Sequence, residues 1–126
     1  MKRNLFISLP VLLLVSFLFG CKSDNAEELY PAKVACDTAN LNYNSIKPIL
    51  VNNCLGSSCH NSTDKGGGYI LEDYAGTLIA VNNNNKLLRS IKHDQGVSFM
   101  PKGAAKLSDC DIAKIEAWIK RGSPEN

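Results

Sequence analysis

Apolar positions occur in this chain first as one long run and then as short groups at helical spacing. From Leu5 to Phe19 nearly every residue is apolar, broken only by Ser8, Pro10 and Ser16. After Gly20-Cys21 the composition turns to Ser, Asp, Asn, Glu and Pro as far as Ala35. Tyr43, Ile46, Ile49 and Leu50 then share one helical face and predict a helix over 43–53. Ser45 or Asn44 would cap it, and Pro48 would fall within its first turn or so, where a missing N–H matters least. A second helix is expected over 73–81, with Tyr74, Leu78, Ile79 and Val81 supplying apolar contact, and a third over 86–92, with Leu87, Leu88 and Ile91 inward and Gly96 as its stop. The clearest pattern is 108–121. Ser108 caps it, Asp111 completes a capping-box-like start, and Ile112, Ile115, Trp118 and Ile119 form one face before Gly122 and Pro124. The expected class is all-α.

The first run is read as a leader rather than as part of the fold. Lys2 and Arg3 make a positive start, the apolar core is short, and a small residue precedes Cys21. Gly20-Cys21 fits a bacterial lipobox, in which the Cys21 thiol is diacylated after cleavage. A plain signal peptide and an N-terminal membrane helix are the alternatives, the second disfavoured by the shortness of the run. The expected organisation is a leader over 1–20, a tether over 21–35 that holds the protein off the membrane, and one domain over 36–126. Lys22, rather than Asp, follows Cys21, which points to the outer membrane, facing the periplasm or the cell surface. The whole chain carries 14 basic and 12 acidic residues; losing Lys2 and Arg3 leaves the mature protein near neutral. No basic stripe interleaved with aromatics suggests nucleic acid, so membrane association is assigned to the lipid.

Candidate chemistry centres on Cys54-Leu55-Gly56-Ser57-Ser58-Cys59-His60. Two cysteines followed at once by a histidine suit covalent haem attachment, with the thiols adding to the vinyl groups and His60 binding the iron. The usual spacer between the cysteines is shorter; the extra residues are expected to loop outward. The alternative is a local Cys54–Cys59 disulfide, or a zinc site with His60 that needs a further ligand. Cys36 and Cys110 remain. In an exported protein they are expected to pair, with two free buried thiols as the alternative. Val97-Ser98-Phe99-Met100-Pro101-Lys102-Gly103 is a loop stiffened by proline. Its Met100 thioether is a soft ligand suited to haem iron, although filling a core gap is the ordinary work of Met. His93 is the competing ligand, and is read instead as a solvated surface histidine. Gly66-Gly67-Gly68 would let backbone pass close to a flat cofactor. Tyr69 is either near a haem propionate or a solvent-edged core residue.

Together these residues resemble a small class I cytochrome c, of the lipid-anchored or secreted type found in some gram-negative bacteria. The resemblance rests on Ile46 to Leu50, Cys54 to His60, the glycine loop, Met100 to Gly103, and Leu107 to Ile112 leading into Ala117-Trp118-Ile119. It implies first and last helices packed crosswise, one haem c held by Cys54 and Cys59, and axial ligation by His60 and Met100. It also implies a pairing of Cys36 with Cys110 and an apolar cleft between His60 and Met100. A monomeric one-electron carrier with transient exported redox partners is therefore expected, not an enzyme. The alternatives are a peroxidase-like enzyme or sensor with an open sixth position, and a disulfide-stabilised lipoprotein without haem.

Overall fold

The computed structural model describes residues 36–126; the expected leader, Cys21 and the tether lie outside the described residues. The helices are α1 (Tyr43–Cys54), α2 (Tyr74–Asn82), α3 (Lys86–Lys92) and α4 (Asp109–Lys120), with a 3-10 turn at Gly66–Gly68. There is no strand among the described residues, so the domain is all-α.

Local chemistry sets the helix boundaries. Asn42, not Ser45 or Asn44, is the N-cap of α1: its side chain accepts the Ser45 N–H, and Ser45 reaches back to the Asn42 N–H. This is a capping box with Ser in place of the usual acid. With the cap at Asn42, Pro48 lies inside the helix rather than in its first turn. Asn44 and Pro48 both lie on the exposed side, where water can take up the carbonyl that proline leaves unpaired. Asp73 caps α2 by accepting the Gly76 N–H at 2.7 Å. Ser108 caps α4 by accepting from Asp111 N–H, while its hydroxyl donates to the Asp111 carboxylate.

The core forms where these helices meet. α1 and α4 pack together, α3 packs on α4, and α2 packs on α3. Ile46, Leu50, Ile91, Ile115 and Trp118 are all fully buried. One expectation needs correction. Ile79 is 63% exposed; the inward positions of α2 are Thr77, Ala80 and Val81. Thr77 can be buried because its hydroxyl donates to the Asp73 carbonyl. In α3, Leu87 and Ile91 are buried, while Leu88 is half-buried against the core.

The ends of α4 are tied to the chain that leads into α1. Cys36 and Cys110 are joined by a disulfide. At the other end, the Tyr43 N–H donates to the Pro124 carbonyl at 3.0 Å. Residues 36–42 therefore run the length of α4, whose 12 residues span about 18 Å. The tail after α4 acts as a clasp. Trp118 Nε1–H donates to the Pro124 carbonyl and the Tyr74 hydroxyl to the Ser123 carbonyl, both at 2.9 Å. Gly122, at φ 87°, makes the left-handed turn that folds this tail back.

The buried Tyr43 hydroxyl, in contrast, has no hydrogen-bond partner in the protein. Its ring meets Tyr74 edge-on, 5.4 Å between centroids. The two tyrosines should therefore respond in opposite ways to loss of the hydroxyl. Tyr74→Phe is expected to cost about 1 kcal/mol, whereas Tyr43→Phe is expected to be neutral or stabilising by up to about 1 kcal/mol, measured by urea denaturation. Removing the disulfide, which links positions 74 residues apart, is expected to cost about 4 kcal/mol. The Cys36→Ser/Cys110→Ser variant checks this in the same assay.

Candidate functional site

The segment after α1 is held by its own backbone. Cys54 closes α1 and is buried. The His60 N–H donates to the Cys54 carbonyl at 2.9 Å, and the His60 carbonyl accepts the Leu71 N–H at 2.8 Å. Cys59 is fixed in the same way: its N–H donates to Gly56 at 3.1 Å and its carbonyl accepts from Gly66 at 2.8 Å. His60 is thus pinned on both sides, and the two cysteines are brought together at the end of one helix.

Of the four residues between the cysteines, Leu55 packs against the core and the other three loop outward. Gly56, Ser57 and Ser58 are exposed, and Ser58 takes φ 63°. A polar brace stops this loop from drifting. The Asn61 side-chain amide donates to the Gly56 carbonyl at 3.0 Å and to Asp64 at 2.9 Å. The Asp64 carboxylate also accepts the Ser58 N–H at 2.8 Å. Asn61 and Asp64, three apart in a polar run, are the sequence signal for this brace.

The glycines divide their work. A Cβ on Gly66 would lie 2.9 Å from the Cys59 carbonyl oxygen and 3.4 Å from His60 Nδ1, so this position must lack a side chain. Gly67 and Gly68 take φ 58° and 83°, which glycine adopts without cost. Together they return the chain so that the Tyr69 carbonyl lies 3.3 Å from His60 Nδ1. A carbonyl can only accept, so Nδ1 carries a proton and Nε2 is the ring nitrogen not engaged by this bond. The Tyr69 ring is itself held, by the Asn83 amide at its hydroxyl and by the Lys86 ammonium over its face.

The thiols differ. Cys54 and Cys59 are both free, not joined in a local disulfide. Burial, and secondarily the neighbouring Cys59, push the Cys54 thiol up to about 11. Cys59 is only half-buried. No group of three or more His, Cys, Asp or Glu side chains among the described residues is arranged to hold a metal ion. A haem makes a different demand, because its ring supplies most of the donors to the iron. An imidazole whose Nδ1–H is taken by a backbone carbonyl, beside two unpaired thiols, is a donor set that fits it.

Met100 belongs to a second loop, built on α3. It is half-buried against the core, and the Met100–Pro101 peptide is cis. Its N–H donates to the Ser90 carbonyl at 3.1 Å. His93 is not the solvated surface residue expected. It is half-buried, its ring stacks on Phe99 at 4.7 Å between centroids, and its Nε2 lies 3.0 Å from the Met100 carbonyl. His93 also ends α3 in place of Gly96, taking φ 64° as the C-cap. Two hollows open on the surface, one bounded by residues from Gly68 to Ile79, the other by α2, Ile119 and the tail. Neither is lined by Cys54, Cys59, His60 or Met100, so neither is the expected apolar cleft; Leu55, Tyr69, Leu88 and Met100 instead pack on the core.

No family model, curated protein or solved structure matches the chain.

The brace predicts a pH response. The Asn61 amide, and then the Ser58 N–H, hold the Asp64 carboxyl below its ordinary value. A lowered folded-state value means the brace is complete above the unfolded value of about 3.9 and is lost as pH falls through the folded one. The Ser58 amide proton shift should therefore titrate below about pH 3.9, and Asp64→Asn should abolish that titration in NMR spectra.

Proposed function

We propose that this chain is a one-electron carrier holding a single covalent haem c, and that its all-α domain has the class I cytochrome c arrangement. The observation that carries the reading is the His60 imidazole. Its Nδ1–H is committed to the Tyr69 carbonyl, which leaves Nε2 as the nitrogen that would bind iron and orients the ring for it. This imidazole directly follows Cys59, whose thiol is free like that of Cys54. Cys54 and Cys59 would form the thioether bonds, and His60 Nε2 and Met100 Sδ would be the axial ligands. The bound group would supply a one-electron couple at a potential tuned by those ligands.

The other residues serve to hold this arrangement. The Asn61–Asp64 brace offsets the freedom of the long spacer, and Gly66 allows the Tyr69 strand to approach His60. Because a buried thiol pushed up to about 11 is seldom the reactive thiolate, a bond at Cys54 forms more readily before the core closes over α1. With both axial positions filled by side chains, a substrate has no place at the metal, which favours a carrier over an enzyme. The Gly20-Cys21 lipobox supports export, lipid anchoring at the outer membrane, and transient partners that are themselves exported redox proteins.

The test begins with expression of the full chain in cells competent for haem attachment. The wild-type band should stain for haem on a denaturing gel, and Cys54→Ser/Cys59→Ser should not. The ferric protein should show a methionine-to-iron charge-transfer band that Met100→Ala removes. A haem-negative wild-type band would overturn the reading. A five-coordinate, high-spin ferric spectrum would assign the protein to the open-site enzymes or sensors.

A further inference from the structure

One feature of the Met100 loop is not explained by a ligand role for Met100 alone. The loop is closed on α3 by contacts among backbone groups, the His93 and Phe99 rings and the Arg89 side chain. The Ser90 carbonyl accepts two N–H groups, from His93 at 3.2 Å and from Met100 at 3.1 Å. The Met100 carbonyl lies 3.0 Å from His93 Nε2. That carbonyl can only accept, so Nε2 carries the proton and donates. The other face of the arrangement is the Phe99 ring, which lies nearly parallel to the imidazole, at 4° and 4.7 Å. Phe99 is 52% exposed, so the stack is its main anchor. The turn between is short and fixed: Asp94 N–H donates to the Arg89 carbonyl at 3.0 Å, and Arg89 Nη2 donates to Gln95 at 3.2 Å.

The backbone of His93 is set for this task. At φ 64° it occupies the left-handed region, which histidine enters more readily than most side chains. That conformation turns the imidazole off the end of α3 and toward Met100. An ordinary C-cap would use glycine. A histidine whose ring bonds to Met100 and stacks on Phe99 is serving the loop as well as the helix end.

We propose that His93 is the positioning residue for Met100: its Nε2–H and its stack on Phe99 clamp the loop so that the thioether stays at the sixth position. This rests on the haem reading above. It also gives His93 a role distinct from that of a rival axial ligand, because its Nε2 is already committed to the Met100 carbonyl.

The experiment uses the full-length protein with covalent haem, and reads imidazole affinity for the ferric iron together with the methionine charge-transfer band. His93→Gly removes the ring and suits the left-handed backbone, so the variant is expected to fold. It should bind imidazole about tenfold more tightly, since losing one hydrogen bond and one ring stack shifts a closed loop toward open by about that factor. Its charge-transfer band should weaken. His93→Gln, which keeps a donor at similar reach, should recover most of the wild-type affinity, and Phe99→Leu should fall between. Tyr74→Phe is the control for lost stability, and should leave imidazole affinity unchanged. His93→Gly binding imidazole within about twofold of wild type, with its band intact, would overturn the proposal. Failure of the function reading looks different: the wild-type chain carries no haem. In that case the Met100 amide still reports the clamp. Its hydrogen exchange accelerates about tenfold in His93→Gly if the clamp exists, and an unchanged rate overturns it.

Discussion

The packing of α1 against α4 is the constraint on which the other parts depend. Neither helix, at 12 residues each, is long enough to be stable alone in water. Each is stable because Ile46 and Leu50 on one side and Ile115 and Trp118 on the other exclude water completely. The pair is then fastened beyond its two ends. The disulfide holds the first turn of α4 to Cys36, and the tail returns past the last turn to meet Tyr43 and Trp118. A small domain buries a limited fraction of its surface, so these ties, which lower the entropy lost on folding, matter more than they would in a larger one.

Both loops of the candidate site extend from this frame. The first leaves α1 at Cys54 and is pinned within a few residues by the backbone bonds at Cys59 and His60. The second leaves α3, which packs on α4 and is linked to it by Glu116. That carboxylate meets Lys92 of α3 and Lys120 of α4, each at 2.9 Å, and they hold it below its ordinary value. An exposed pair of this kind contributes little energy, but it fixes the end of α3 from which His93 and Met100 depart. The two loops therefore have α4 and the shared core, rather than direct bonds to each other, as their common reference.

Much of this was legible in the chain. Helix α4 was, because cap, apolar face, charge order and terminal glycine all agree. The Cys36–Cys110 pairing was, because the expectation of export, with Cys21 read as lipidated and Cys54 and Cys59 as haem-bearing, left only these two. The start of α1 at Tyr43 was legible too, but its cap was misassigned because Ser45 looked like one, whereas it is the reciprocal partner of Asn42. Ile79 was misassigned because α2 is apolar nearly all round, so hydrophobicity did not mark its inward side; the small Thr77 and Ala80 did. His93 was misread for a more general reason. Lys92 and Asp94 beside it suggest solvent, and nothing local shows that a left-handed cap turns the ring toward Phe99 and Met100. Hydrogen bonds from a side chain to a distant backbone carbonyl leave no periodic trace in a sequence. The same holds for the Tyr69 carbonyl at His60, which is set by backbone course and could have been any residue type.

The two loops also differ in how they could fail. Around His60, side chain and backbone are held by several independent bonds, and steric exclusion at Gly66 leaves little room for change. Around Met100 the restraint converges on one helix end, through the Ser90 carbonyl and the His93 ring, with the exposed Phe99 as its outer support. Loss of one bond on the His60 side leaves others in place. Loss of the His93 ring removes the hydrogen bond and the stack together. Under the haem reading, the Met100 side is therefore the one whose opening would convert a carrier into a site open to ligands. The difference lies in the His93 and Met100 backbone geometry rather than in the Cys54–His60 motif that first identifies the site.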